Sequence, residues 1–149
     1  MSELLANRIE AVRDELIRLD WVNSFEVISE RIVEGIGLLR IRAVLVNGDA
    51  LQLVERFEDV DGRVLVGKYS FHWQRVDGSL VRRWDNAPHH RELLTFPHHI
   101  HDNDENRVLA HEAVDVFDIL ATIALALNAT SAKVGAGGMA ADAAASAVD

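Results

Sequence analysis

Five of the seven histidines of this chain fall between Arg83 and His101, in the run RWDNAPHHRELLTFPHHIH. They are His89, His90, His98, His99 and His101, and each of the two prolines, Pro88 and Pro97, directly precedes a His-His pair. Imidazole titrates near neutrality, so two histidines can take up and return a proton without a metal. Arginines beside them can hold a phosphate and stabilise the charge that develops on it. Arg83 and Asp85 open the same stretch, and a carboxylate there can fix a histidine tautomer. These residue types point to acid-base chemistry on a phosphodiester, with His72, Arg83, Asp85, His89, His90, His98, His99 and His101 as the catalytic set. In this reading His89 or His98 is the acid or base, Arg83 holds phosphate and Asp85 orients a histidine. No metal or other cofactor takes part.

The same side chains suit two other readings. His98-His99-x-His101, with Asp85 or Asp102, offers ligands for a metal-dependent phosphodiesterase, although the spacing is neither an HExxH helix nor a pair on one helical face. Alternatively the segment is a non-catalytic module. Either the histidine loop docks a protein partner without catalysis, or it is a rigid hydrogen-bonded connector whose backbone Pro88 and Pro97 restrict.

The elements that must position these residues read as α+β. Ser2 caps a helix over Glu3 to Leu19, whose stripe is Leu5, Ile9, Val12, Leu16 and Leu19. Five strand candidates follow: Ser24 to Arg31, Leu38 to Val46, Ala50 to Phe57, Val64 to Val76 and Leu80 to Trp84. They form an antiparallel meander of about five strands, with turns at Asn47-Gly48, Asp61-Gly62 and Asp77-Gly78. Two-residue turns at all three set Val46 opposite Asp49, Val60 opposite Arg63 and Val76 opposite Ser79. Side chains alternate along a strand, so one face then collects Leu39, Ile41, Ala43, Leu45, Val54, Leu65, Tyr69, Phe71, Trp73, Leu80 and Trp84. The other collects Arg40, Arg42, Glu55, Lys68, Ser70, His72, Gln74, Arg83 and Asp85, with His72 opposite Arg83 and Ser70 opposite Asp85. An extra residue at the middle turn would exchange Leu51 and Leu53 with Gln52, Val54 and Arg56. The substrate-binding candidates are Arg40, Arg42, Lys68, Tyr69 and Asn86. His101 to Asn106 reads as loop, and a second helix spans Glu112 to Asn128. Both helices are expected on one face of the sheet.

Three runs together, GKYSFHWQ at Gly67 to Gln74, RWDNAPHH at Arg83 to His90 and FPHHIH at Phe96 to His101, resemble the TumE family of toxin–antitoxin proteins. The resemblance extends over roughly Leu16 to Leu127. It implies a growth-inhibiting toxin of a type II system in a prokaryote, encoded beside a protein antitoxin of the DNA-binding kind. Tyr69, His72, Arg83, Trp84, Asp85, Asn86, His89, His90, Phe96, His98, His99 and His101 carry over as motif positions, without individual roles. RNA as substrate follows from the residue chemistry and from how commonly such toxins attack RNA. A homodimer is left open.

Composition sets outer bounds. A chain of 149 residues suits one domain, here 1–130, followed by an Ala/Gly-rich tail over 131–149 that lacks the bulky apolar groups needed to order it. The formal net charge of −9 argues against a nucleic-acid coat protein but leaves room for a local basic groove. The absence of cysteine removes thiolate ligands, disulfides and cysteine nucleophiles. No basic, apolar leader and no apolar run of membrane-spanning length is present, so a cytoplasmic protein without membrane association is expected.

Overall fold

The computed structural model describes residues 2–137. The order is α1 (Glu3–Arg18), β1 (Val22–Val33), β2 (Ile36–Leu45), β3 (Ala50–Val60), β4 (Arg63–Gln74), β5 (Leu80–Asp85), β6 (His99–Asp102), β7 (Val108–Ala110) and α2 (Val116–Gly137). All seven strands form one antiparallel sheet in sequence order. The α+β class with one helix before and one after the sheet therefore holds, and the sheet has seven strands where about five are expected from the turn signals. His101 and Asp102, read as loop, lie in β6. Asn103 (φ 64°) begins the turn into β7, which closes with Asp102 N–H donating to the Arg107 carbonyl at 3.0 Å.

Helix α1 forms where the sequence places it. The Ser2 hydroxyl accepts from Leu5 N–H at 3.3 Å, and Leu5, Ile9, Val12 and Leu16 are buried against the sheet. Spacings of four and three residues put those four on one stripe. Strands β2 to β5 bury Leu39, Ile41, Ala43, Leu45, Leu51, Leu53, Phe57, Tyr69, Phe71, Trp73, Leu80 and Trp84, and β6 adds Ile100.

The turns decide which side chains reach that core. Glu34-Gly35 and Asp61-Gly62 each have positive φ at both central residues, so each is a two-residue hairpin, and Val60 faces Arg63 as expected. At Asn47-Gly48 and Asp77-Gly78 only the glycine has positive φ. Gly48 N–H donates to the Leu45 carbonyl at 2.9 Å and Gly78 N–H to the Arg75 carbonyl at 2.8 Å. These loops hold one residue more than a two-residue turn, so Leu45 meets Asp49. Strand β3 slips by one, and Leu51, Leu53 and Glu55 point inward while Val54 points outward. The exchange foreseen for a miscounted turn occurs, at Asn47-Gly48 rather than at Asp61-Gly62. A bulge between Glu55 and Phe57 then leaves Leu65 exposed instead of in the core. In β4–β5 a bulge between Trp73 and Gln74 offsets the longer loop, so His72 does face Arg83 and Ser70 does face Asp85.

Gly37 tests this packing. A Cβ there would enter the ring of its cross-strand partner Phe57, 2.6 Å from Cζ, and Phe57 is fully buried. The lower backbone entropy of alanine in the unfolded chain is worth about 0.4–1 kcal/mol in its favour. Overpacking a rigid core typically costs about 1–3 kcal/mol and outweighs it. Gly37→Ala should therefore lower the urea midpoint, and an unchanged or raised midpoint would contradict the packing.

The contacts divide the chain after Val116. Helix α2 continues through Ser131 to Gly137, past the expected end at Asn128 and into the stretch assigned to the tail, so Gly135 does not stop it. Residues 138–149 of that stretch lie outside the described residues. Among the described residues, no helix is long and apolar enough to cross a membrane.

Candidate functional site

The register lays two rows of side chains across the face opposite the core. One runs Arg40, Val54, Ser70, Asp85 and His99 over β2 to β6. The next runs Arg42, Gln52, His72, Arg83 and His101 over the same strands. Directly opposed residues have Cβ atoms about 4.5–5.5 Å apart, so the sheet itself juxtaposes Arg83, Asp85, His99 and His101.

Asp85 is the centre of this group and is only 8 % exposed. Its Oδ1 accepts from Ala87 N–H at 3.1 Å and lies 2.9 Å from His99 Nε2. Its Oδ2 accepts from Arg83 Nε at 3.1 Å and lies 3.6 Å from His101 Nε2. Glu105 takes the other end of Arg83, with its two carboxylate oxygens 2.8 and 2.7 Å from Nη1. The outer nitrogens of the two rings are anchored to backbone. His99 Nδ1 is 2.8 Å from the Pro97 carbonyl and His101 Nδ1 is 2.9 Å from the Glu105 carbonyl. A carbonyl only accepts, so each Nδ1 carries a proton and donates it. Both Nε2 atoms therefore face the Asp85 carboxylate from rings of fixed orientation.

His90 completes the cluster from the loop after β5. It holds a left-handed conformation (φ 60°), which is uncommon for a residue with a side chain. Its ring centroid lies 5.0 Å from that of His99 and 5.9 Å from that of His101, and the latter two are 5.1 Å apart. His72 stands beside Arg83 on β4. Burial lowers its pKa, the Arg83 charge lowers it further, and Glu105 opposes the effect. A histidine held below its ordinary range is neutral at pH 7 and can accept a proton.

Other expected site residues lie elsewhere. His98 alternates away from His99 along the chain, and its Nδ1 is 2.8 Å from the Tyr69 hydroxyl. Burial, and then the neighbouring His99, hold its pKa down. Tyr69 belongs to the core side, stacks on Phe71 and His98, and burial pushes its hydroxyl up to about 12. Both are thus turned from the Asp85 cluster. His89 is exposed, with its ring centroid 6.5 Å from that of His90. Asn86 is held at both ends of its amide by β4, accepting from Tyr69 N–H at 3.0 Å and donating to the Gly67 carbonyl at 2.7 Å. Glu105 is the site residue that the sequence reading passes over. Its signal is weak, being one acid in an acidic turn.

Next to the cluster, on the same face, a groove of about 400 Å³ is lined by Leu38, Arg40, Gln52, Val54, Arg56, Lys68, Tyr69, Ser70 and His72. Its cationic rim of Arg40, Arg56 and Lys68, with Arg42 exposed in the adjoining row, contrasts with the formal charge of −9 on the whole chain. A second groove of about 300 Å³, between α1 and β1, is lined by Ala6, Ile9, Glu10, Glu30, Arg31 and Ile32 and holds no histidine.

Fold and site together define a small α+β protein whose single antiparallel sheet carries a histidine–carboxylate–arginine cluster on the face opposite its core. The family model for toxin TumE matches residues 10–130, and the chain belongs to that family. Comparison with curated proteins finds no match, and comparison with solved structures finds none either.

Proposed function

We propose that this toxin arrests growth by cleaving RNA at the Asp85 cluster, and that a cognate DNA-binding antitoxin protein restrains it. The observation that carries this reading is the pair of side-chain rows, which gathers His72, Arg83, Asp85, His99 and His101 at the end of a cationic groove. The groove binds the phosphate backbone through Arg40, Arg56 and Lys68, and such contacts require no base identity. Arg83 stabilises charge on the phosphate under attack. A phosphate reaching Arg83 has to displace the Glu105 carboxylate, whose side chain is half exposed and can swing away. His72, neutral at pH 7, serves as proton acceptor, and Asp85 holds His99 and His101 in place. The family match supports the toxin part, and the residue chemistry supports the choice of phosphodiester.

The test is induced expression of the full chain in a bacterial host, with total RNA analysed through the first minutes of arrest. Fragments should appear before growth stops. Clear arrest with every RNA class intact would remove the ribonuclease reading.

A further inference from the structure

We propose that His90, His99 and His101 bind one divalent transition-metal ion of the zinc class. Each offers a ring nitrogen, and the three nitrogens all lie within 4.8 Å of one another. They come from two separate pieces of chain. His99 and His101 are neighbours on one face of β6, at 2 % and 6 % exposure, and His90 is folded over them by its left-handed backbone. Imidazole nitrogen is a preferred donor for zinc, copper and nickel.

The surroundings fit a ligand set better than three independent histidines. Ligating histidines typically donate their other N–H to a backbone carbonyl or a carboxylate, which fixes tautomer and ring orientation. His99 donates to the Pro97 carbonyl and His101 to the Glu105 carbonyl, so both rings turn Nε2 inward. Both inward nitrogens face the Asp85 carboxylate, at 2.9 and 3.6 Å. A cation in that space is attracted by the carboxylate and accepts both nitrogen lone pairs. Three imidazoles leave a coordination position open, as in zinc sites that take up water or a substrate oxygen. The set differs from the alternative of His98, His99 and His101 with Asp85 or Asp102, because His98 is committed to Tyr69 and Asp102 pairs with Arg82 at 3.0 Å.

Binding of the ion stands apart from the phosphodiester reading. Only its use in cleavage rests on that reading, and the experiment separates the two. The full chain is made by cell-free synthesis, dialysed against chelator and titrated calorimetrically with zinc chloride. One ion per chain should bind. His90→Ala removes a ligand on a loop, with a side chain one-third exposed, and spares the strands. Loss of supporting partners alone weakens metal sites by about 10–100-fold, so loss of a ligand should cost at least about 100-fold in affinity. His111→Ala should leave binding unchanged. Cobalt(II) added to the wild-type chain should show the visible bands of a low-coordinate site, absent from His90→Ala. Absence of binding, or equal affinity in the wild-type chain and in a His90→Ala chain with wild-type circular dichroism, would overturn the proposal. If His90→Ala binds no zinc but still arrests growth in full, the metal site stands and is detached from cleavage.

Discussion

Asp85→Asn is expected to abolish growth arrest while leaving a folded protein. The substitution keeps the shape and removes the charge. Asp85 accepts from Ala87 N–H on Oδ1 and from Arg83 Nε on Oδ2 and faces Nε2 of both His99 and His101, so each of its oxygens serves one donor that calls for an acceptor. Asparagine offers one accepting oxygen and turns an NH₂ group toward the remaining partners. Arg83, His99 and His101 then lose the group that holds their relative positions. A positioned acid-base or orienting group typically contributes about 10²–10⁴-fold in rate. The inducer dose needed for half-maximal arrest should therefore rise by at least about 100-fold at equal protein level. Circular dichroism and thermal unfolding of the purified variant check the fold. Undiminished arrest by a folded Asp85→Asn chain would dismiss Asp85 as the centre of the site.

The largest stability effect is expected at Glu55, far from that cluster on the core side of the sheet. Its carboxylate is 2 % exposed and receives Arg8 Nε at 2.9 Å and Arg8 Nη2 at 2.7 Å on one oxygen, with Val116 N–H at 3.1 Å on the other. Burial raises the Glu55 pKa, and the Arg8 charge and hydrogen bonds oppose the rise. Removing one member of a buried pair leaves the other charge in a poorly solvated site and costs about 3–5 kcal/mol. A small domain has only about 5–15 kcal/mol in total, so Glu55→Leu should lose about a fifth or more of its stability in urea titrations. The Arg8→Met/Glu55→Leu double variant should recover much of that loss, because a well-packed apolar pair replaces a buried ion pair at little cost. Asp115, 3.5 Å from Arg8, sets a limit on the recovery, since the double variant leaves that carboxylate without the arginine. A Glu55→Leu chain as stable as the wild type would show that the pair contributes nothing.

Local chemistry makes much of this molecule readable from its sequence. Ser2 followed by apolar residues at helical spacing specifies α1, because capping and amphipathicity act within a few residues. Alternation specifies the inner faces of β2, β5 and the Tyr69–Trp73 part of β4, though not Leu65 beyond the bulge, and one strand pair places His72 opposite Arg83 and Ser70 opposite Asp85. The histidine segment stands out by composition alone. Strand β3 is different. Whether Gly48 closes a two-residue or a longer loop changes nothing in the local pattern, yet it exchanges Val54 for Leu53 and Glu55 in the core. The choice depends on burying two leucines and Phe57 together, which is a property of the assembled sheet. Strands β6 and β7 are too short, at His99–Asp102 and Val108–Ala110, to announce themselves beside prolines and a polar turn. They form because β5 offers an unpaired edge. That pairing separates otherwise similar histidines: pleating sends His99 and His101 to Asp85 and His98 to Tyr69. A left-handed backbone at His90 brings in the third ring. The residue types came from the sequence, whereas the choice of which imidazoles meet around one carboxylate came from strand pairing between distant segments, which no local pattern encodes.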